Sequence, residues 1–434
     1  MVEATDPSVP ILPDLQTGET KNLRARHTKL YTDLLAKKNW RRNARSRSLP
    51  ASSPGGKMRV AIVAASLRYV GGQSVEADLL VRNWQDDPAV EAHLIAIDPP
   101  LPPGLQWVEQ IPVVRTIVRQ PFYLWNLWKK IEDADIAHIF SASYWSFLIA
   151  PTPAWLVARL RGKKVLIHYH SGEARDHLQR FRSARQVLTR VDKLVVPSGY
   201  LADVFREFKL EAEVVPNIVD FSQFPFRARN LLRPHLVCTR GFHSYYAVDV
   251  VVRAFAEVRH KYPRARLDLV GKGPLEEQIR SLVSGLKLDG VHFMGVASRE
   301  SIGRCYDDAD IFINASRLDN MPVSILEAFA SGTPVVSTAP EGMRYVVEDG
   351  RTGLLSEVGD AHALAQNVIQ LLGDPELACR LAWAAREQSK GYMWCVVREQ
   401  WLGVYDGLYK GADHAVAEPA LSVLEDFNNE GCVN

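Results

Sequence analysis

No run in this chain of 434 residues approaches the roughly 18 apolar residues that a membrane-crossing helix needs, and its first residues hold no apolar signal-peptide core. Cysteine is sparse. The five present, Cys238, Cys305, Cys379, Cys395 and Cys432, form no C-x-x-C pair, fall at no zinc spacing and are odd in number. That pattern fits a reducing cytoplasm and argues against a disulfide scaffold. A strong net charge is also missing. A formal charge of +2 argues against bulk nucleic-acid binding, so no nucleic acid is expected as a partner. What basic charge there is lies unevenly: between Lys21 and Arg47 stand ten Lys/Arg and one acid, Asp33, which leaves the remainder net acidic. The expectation is a cytoplasmic protein that at most rests on the inner face of a membrane.

What is present is an ordinary globular composition, 47% hydrophobic and 24% charged, in a chain long enough for two domains with sizeable cores. Residues 1–57 read as a basic, flexible arm ending in LPASSPGGK. Within it Tyr31, Leu34 and Leu35 beside Lys37, Lys38, Trp40, Arg41 and Arg42 suit either a short amphipathic helix on an anionic membrane surface or a solvated arm. From 58 to 222 the apolar runs MRVAIVAAS, HLIAID, ADIAHIF, KKVLIHYH and KLVVPS alternate with helical patterns. A second series, HLVCTR, RLDLVG, VHFMG, DIFINAS and PVVST, fills 223–395 after the irregular stretch PNIVDFSQFPFRARNLLRP. Strands alternating with helices predict two parallel sheets, each covered on both faces, with a ligand crevice at their carboxyl ends. Residues 396–412 predict a last helix, and 413–434 a flexible tail.

The densest chemistry lies in NASRLDNMPVSILEAFASG, Asn314 to Gly332. A loop carboxylate, Asp319, stands eight residues before a helix carboxylate, Glu327. Asp319 or Asn320 is placed to cap the helix, with Pro322 in its first turn, where a missing N–H costs little. Free amides and the positive dipole end make such a helix mouth an anion site. Carboxylates for hydroxyl protons beside amides for phosphate oxygens suit a sugar nucleotide.

This segment resembles the E-x7-E signature of the retaining glycosyltransferases of family 4, which have the GT-B fold of two Rossmann-like domains facing a central cleft. The block Leu326-Glu327-Ala328-Phe329-Ala330-Ser331-Gly332-Thr333-Pro334-Val335-Val336 matches closely. The first half departs, with Asp319 for Glu and Asn320 for Gly. The resemblance spans about Met58 to Tyr409 and implies a set of site residues. Arg240, after HLVCT, would hold the diphosphate, with Glu327 on the ribose, Asp319 on the donor sugar and His170 near the transferred sugar; His168 is the runner-up to His170. Asn320, Met321, Pro322 and Val323 would line the donor site. So would the first-domain loop Gly71-Gly72, the turn Gly271-Lys272-Gly273 and Met294-Gly295 beside the nucleobase. Tyr246 stands where the family has a lysine, and Lys272 is the candidate substitute. The arginines of EARDHLQRFRSARQVLTR, read as one helix, and Trp125, Trp128, Tyr144, Trp145 and Trp155 would suit a lipid-linked acceptor or an anionic membrane surface.

The implied activity is metal-independent transfer, with retention, from a nucleoside-diphosphate sugar to a sugar or lipid-linked acceptor, with no cofactor. The D-x-D pairs Asp133/Asp135 and Asp308/Asp310 read as helix-to-strand connections, not metal clamps. A sugar-nucleotide epimerase would need carboxylates placed for elimination, and a glycogen-phosphorylase-like enzyme a lysine for pyridoxal phosphate. Neither is assignable. A non-catalytic or regulatory protein that binds a sugar nucleotide stays open as the alternative.

Overall fold

The computed structural model describes residues 57–68 and 71–410. The basic arm, its amphipathic stretch and the tail from 413 lie outside the described residues, as do Tyr69 and Val70.

The first lobe is a six-stranded parallel sheet of β1 (Met58–Ala64), β2 (Val90–Ala96), β3 (Ile136–Ser141), β4 (Lys164–Tyr169), β5 (Lys193–Val196) and β6 (Glu213–Val214), in the order β2-β1-β3-β4-β5-β6. Around it lie α1 (Gly72–Asn83), α2 (Pro112–Lys130), α3 (Tyr144–Ile149), α4 (Pro151–Leu160), α5 (Ala174–Arg180), α6 (Arg182–Leu188) and α7 (Gly199–Glu207). The continuous apolar runs follow from burial on both faces. In β1, Ala61 and Val63 enter one core cluster, and Val60, Ile62 and Ala64 the cluster on the other side. The expected single helix after Gly172 is two, because the chain bends at Phe181, whose ψ of 87° leaves the helical region.

The second lobe repeats the plan with β7 (His235–Cys238), β8 (Arg266–Val270), β9 (Val291–Gly295), β10 (Ile311–Asn314), β11 (Val335–Thr338) and β12 (Leu354–Ser356), in the order β12-β11-β10-β7-β8-β9. Its helices are α8 (Val248–Lys261), α9 (Glu276–Gly285), α10 (Arg299–Asp308), α11 (Val323–Ser331), α12 (Ala361–Gly373), α13 (Pro375–Ser389) and α14 (Trp394–Lys410). Two α/β layers of this kind form the GT-B architecture. In each sheet the strand order reverses once, between β1 and β3 in the first and between β7 and β10 in the second. Open α/β sheets bind ligands outside such a switch point.

The connection between the lobes has a structural purpose for its arginines. Arg227 and Arg233 reach the fully buried Asp310 at 2.7 and 2.8 Å, with Arg229 at 3.8 Å, so the second acid of the Asp308/Asp310 pair is tied inside the lobe. Asp135 of the first pair meets Arg59 at 3.1 Å. Helix α14 returns to the first sheet. Trp401 and Tyr405 pack in the core beside Met58, Ile62 and Leu166, and the Tyr405 hydroxyl lies 2.8 Å from His138 Nδ1.

One buried carboxyl has no cation beside it. Glu76 of α1 sits in the interior and takes the Ile218 amide at 3.2 and 3.1 Å on its two oxygens. Burial pushes its pKa up to about 8. The folded chain therefore holds a proton on Glu76 that the unfolded chain has lost above about pH 4.3, and stability falls as pH rises from there through 8. Measured against Glu76→Gln, which cancels the opposite slope of the buried histidines, the unmodified chain is expected to lose up to about 1.4 kcal/mol of stability per pH unit between pH 5 and 8 in denaturant unfolding.

Candidate functional site

Arg240 lies two residues past the end of β7, and the loop 315–322 follows β10, so the switch point of the second sheet brings them together. The Arg240 guanidinium forms an ion pair with the Asp319 carboxylate and donates to Ser324 Oγ at 2.9 Å and Ser316 Oγ at 3.3 Å. Ser316 in turn donates to Asn314 Oδ1 at 2.8 Å, and Asn314 to Ser337 Oγ at 2.9 Å. The guanidinium carbon lies 3.8 Å from the centroid of the Tyr246 ring. Tyr246 brings no positive charge, but its face is a shelf that attracts one. Burial works against the charge on Arg240, and Asp319 more than restores it. The same burial pushes Asp319 up while Arg240 pulls it back.

Glu327 joins this cluster from one helical turn beyond Ser324. The Tyr306 hydroxyl lies 2.7 Å from Glu327 Oε2, 2.7 Å from Thr239 Oγ1 and 3.1 Å from the Ser324 carbonyl oxygen. With one proton to give, it serves Glu327 while the Thr239 hydroxyl donates to it. Burial pushes the Glu327 carboxyl up to about 7, against the pull of Tyr306 and Arg240.

Neither Asp319 nor Asn320 caps α11. Pro322 is itself the cap residue, in extended conformation and with no side-chain bond, and the helix starts at Val323. The expected caps are drawn elsewhere. Asp319 goes to Arg240, while the Asn320 oxygen accepts from the Met321 amide and its Nδ2 donates to the His170 carbonyl at 2.6 Å. That last bond crosses between the lobes, as does Asn217 Nδ2 to the Met321 carbonyl at 3.0 Å. Farther out, Arg175 meets Glu341 at 2.7 Å, and Arg299 meets Asp78 of α1 at 3.1 Å.

The glycines of Gly271-Lys272-Gly273 answer to neighbouring backbone. A Cβ on Gly271 would lie 2.3 Å from the Arg240 carbonyl oxygen, and one on Gly273 would lie 2.5 Å from that of Phe242. The turn is thus pressed against the strand end that presents Arg240, held by Phe242 N to Lys272 O at 3.0 Å and Gly271 N to Gly295 O at 2.7 Å. Lys272 is exposed above it, and Met294 is exposed on the edge strand β9. Gly342, missed in the sequence, lies under the acidic loop: a Cβ there would come within 2.2 Å of the Asp319 carbonyl oxygen.

On the first lobe, His170 continues a row of buried rings, with His138 Nε2 3.3 Å from His168 Nδ1 and the His168 and His170 centroids 4.0 Å apart. Burial holds all three neutral, His170 at about 3. Its Nε2 is buried and meets no partner among the described residues. Gly71 and Gly72 open α1, with nothing within 4 Å of where a side chain would project; no contact ties them to Arg240. Tyr306, Thr239 and Ser316 carried no motif. Ser324 was findable, three residues before Glu327 on the same helix face.

Comparison with known proteins bears on the family and the fold. A family model described as "Glycosyltransferase Family 4" matches residues 69–223, and one described as "Glycosyl transferases group 1" matches 233–374, together more than half of the chain. The phosphatidyl-myo-inositol mannosyltransferase of Mycobacterium leprae is 26% identical over 292 residues, 64% of this chain and 75% of that protein. The N-acetyl-alpha-D-glucosaminyl L-malate synthase of Bacillus anthracis is 35% identical over 153 residues, 35% of this chain and 39% of that protein. Among solved structures, Anabaena Alr3699/HepE in complex with UDP-glucose has a TM-score of 0.65 at 16% identity, covering 81% of this chain and all of that one. Sucrose-phosphate synthase from Thermosynechococcus elongatus has 0.63 at 20%, covering 82% and 100%. At these identities the structures show the fold.

Removing Arg240 alone would strand Asp319 as a buried charge. Arg240→Ala is expected to destabilise the chain by about 3 kcal/mol in denaturant unfolding, and Arg240→Ala with Asp319→Asn to recover more than half of that. Equal losses in both variants would show that the ion pair contributes no coupling.

Proposed function

Because the chain belongs to the GT-B glycosyltransferases of family 4, we propose that it moves a glycosyl unit, with retention, from a nucleoside-diphosphate sugar to a hydroxyl of a sugar or lipid-linked acceptor. The supporting observation is the meeting of Arg240, Asp319 and Glu327 in one buried polar cluster at the switch point of the second sheet.

In this reading the donor diphosphate takes Arg240, already held flat on Tyr246, together with the uncapped mouth of α11. Two phosphates carry more charge than one carboxylate, so the donor displaces Asp319 from Arg240. The freed Asp319 accepts from a sugar hydroxyl. Glu327 accepts from the ribose, and exposed Lys272 leans in as a second cation. As the bond from the anomeric carbon to the diphosphate oxygen breaks, the acceptor oxygen bonds to that carbon on the same face. The acceptor proton passes to the departing phosphate. No strong protein base and no metal is required, because Arg240 and the helix amides meet the growing charge. The neutral ring of His170 offers Nε2 to the transferred sugar. Asn320 and Asn217 hold the lobes together and keep water from the reacting carbon. The setting is cytoplasmic, at the inner membrane face when the acceptor is lipid-linked.

A second reading, a binding protein without turnover, draws on the closed Arg240–Asp319 pair and the lost lysine at position 246. Thermal-shift screening of a nucleotide-sugar panel finds the donor under both readings. Acceptor-dependent release of nucleoside diphosphate occurs under the first alone.

Glu327→Ala is expected to lose most turnover, and Arg240→Ala about 1.5–3 kcal/mol of transition-state stabilisation in kcat/KM at a temperature where the variant stays folded. The Glu327 carboxyl, near 7, must be ionised to accept, whereas the donor diphosphate is fully ionised throughout. Donor affinity by calorimetry should rise from pH 6 to 8, and Glu327→Gln should remove the rise.

A further inference from the structure

Of the twenty-one large apolar side chains exposed among the described residues, twelve lie between Leu67 and Leu160, all on the first lobe. Helix α2 concentrates them. At 3.6 residues per turn, Val113, Ile117, Leu124, Trp125 and Trp128 fall within one sector of about 120°. Trp125 is 60% exposed and Val113 71%. The opposite side of the helix buries Tyr123 and Leu127 against the sheet. An outward helix face normally carries charge; this sector holds none.

The charge around the face is mostly basic, with Glu109 and Glu132 at its two ends, paired with Arg119 and Arg161. Residues 110–131 and 144–172, which include α2, α3 and α4, contain eight Lys/Arg and no Asp or Glu. Two of these cations sit on the exposed rings: Lys129 Nζ lies 4.4 Å from the Trp125 centroid and Arg161 Cζ 4.6 Å from that of Trp128. Amphipathic rings with cations at their rim suit the boundary between lipid headgroups and acyl chains. A second copy of the chain would set two such predominantly basic surfaces against each other, and like charges would oppose it. Anionic headgroups complement the face. No helix among the described residues is long and apolar enough to cross a membrane, so contact would be in the plane of the surface.

We infer that the outward face of Pro112–Lys130 is a docking surface for an anionic lipid bilayer, with Ile117, Trp125 and Trp128 entering the headgroup layer and Lys129 and Lys130 meeting lipid phosphates. Of the arginines of Ala174–Leu188, Arg175 and Arg180 are already ion-paired, with Glu207, Glu341 and Asp176. This surface deepens the membrane setting proposed above and rests on it, but its test needs no sugar nucleotide, so failure of docking and failure of transfer are told apart.

The test is co-sedimentation of the full chain with vesicles of phosphatidylcholine, alone or with about a third phosphatidylglycerol. Binding to the anionic vesicles, weakened by salt, is expected, and the Ile117→Glu/Trp125→Glu variant should lose at least about tenfold in partitioning. Its thermal shift with the donor nucleotide should be unchanged. Undiminished binding by the variant would assign the membrane contact to the basic arm and overturn the inference. So would a lack of binding by the unmodified chain, or a concentration-dependent dimer that the variant abolishes. Should the variant not fold, quenching of tryptophan emission by brominated phosphatidylglycerol in the Trp40→Phe chain, whose basic arm then holds no tryptophan, decides: quenching supports the surface and its absence overturns it.

Discussion

A guanidinium buried at the end of a parallel strand needs a counter-charge, and that need organises the second lobe. Arg240 has Asp319 for its charge, Ser316 and Ser324 for its protons and the Tyr246 ring for its face. These come from three stretches of chain, Asp319 and Ser316 after β10, Ser324 at the head of α11 and Tyr246 ahead of α8. The strand order brings them together, because β7 and β10 are neighbours only where the sheet reverses direction. The ion pair thereby fixes the acidic loop where a ligand would enter. It also leaves α11 without a cap, since the side chains that would close its mouth are engaged elsewhere.

Close backbone approach sets the rest of the site. Three glycines are required by neighbouring main chain: Gly271 against Arg240, Gly273 against Phe242 and Gly342 against the Asp319 loop. They let three loops stack behind the polar cluster at distances that a Cβ would forbid. The two lobes meet over the same loop, through Asn320 to the His170 carbonyl and Asn217 to that of Met321. Behind His170, the rings of His168 and His138 lead to Tyr405 on the returning helix α14. The chain's last described helix thus supports the strand that ends at the cleft.

Ala247 illustrates how far local sequence and local geometry can part. It follows Tyr246 with φ of 46° and ψ of 47°, a conformation that glycine adopts freely and alanine at a cost of roughly 1–2 kcal/mol. The family pattern has a lysine and a glycine at these two places. Here both are replaced, and Ala247 takes the left-handed conformation as the turn brings the Tyr246 ring beneath Arg240. The ring that arrives there holds a cation instead of adding one.

The two sheets were legible in the sequence, because strands buried on both faces are uninterrupted apolar runs; all the runs named there became strands, and the two-residue, exposed β6 and the three-residue β12 were not among them. Arg240 and Glu327 could be singled out, since one follows a strand and the other lies in a dense helical motif. What residue order did not carry was the partner of each. Tyr306 reaches Glu327 across two helices, Asp319 abandons its cap for Arg240, and the linker arginines close on Asp310. Nor could it show that the tryptophans of α2 face outward, because Pro112 and Pro121 obscure the helix and an apolar residue looks the same in a core or on a surface. Sequence by itself determined which segments must be buried, through their hydrophobic pattern. Tertiary structure alone decided which polar groups meet, because a buried charge takes its partner from whatever the packed sheet brings within reach.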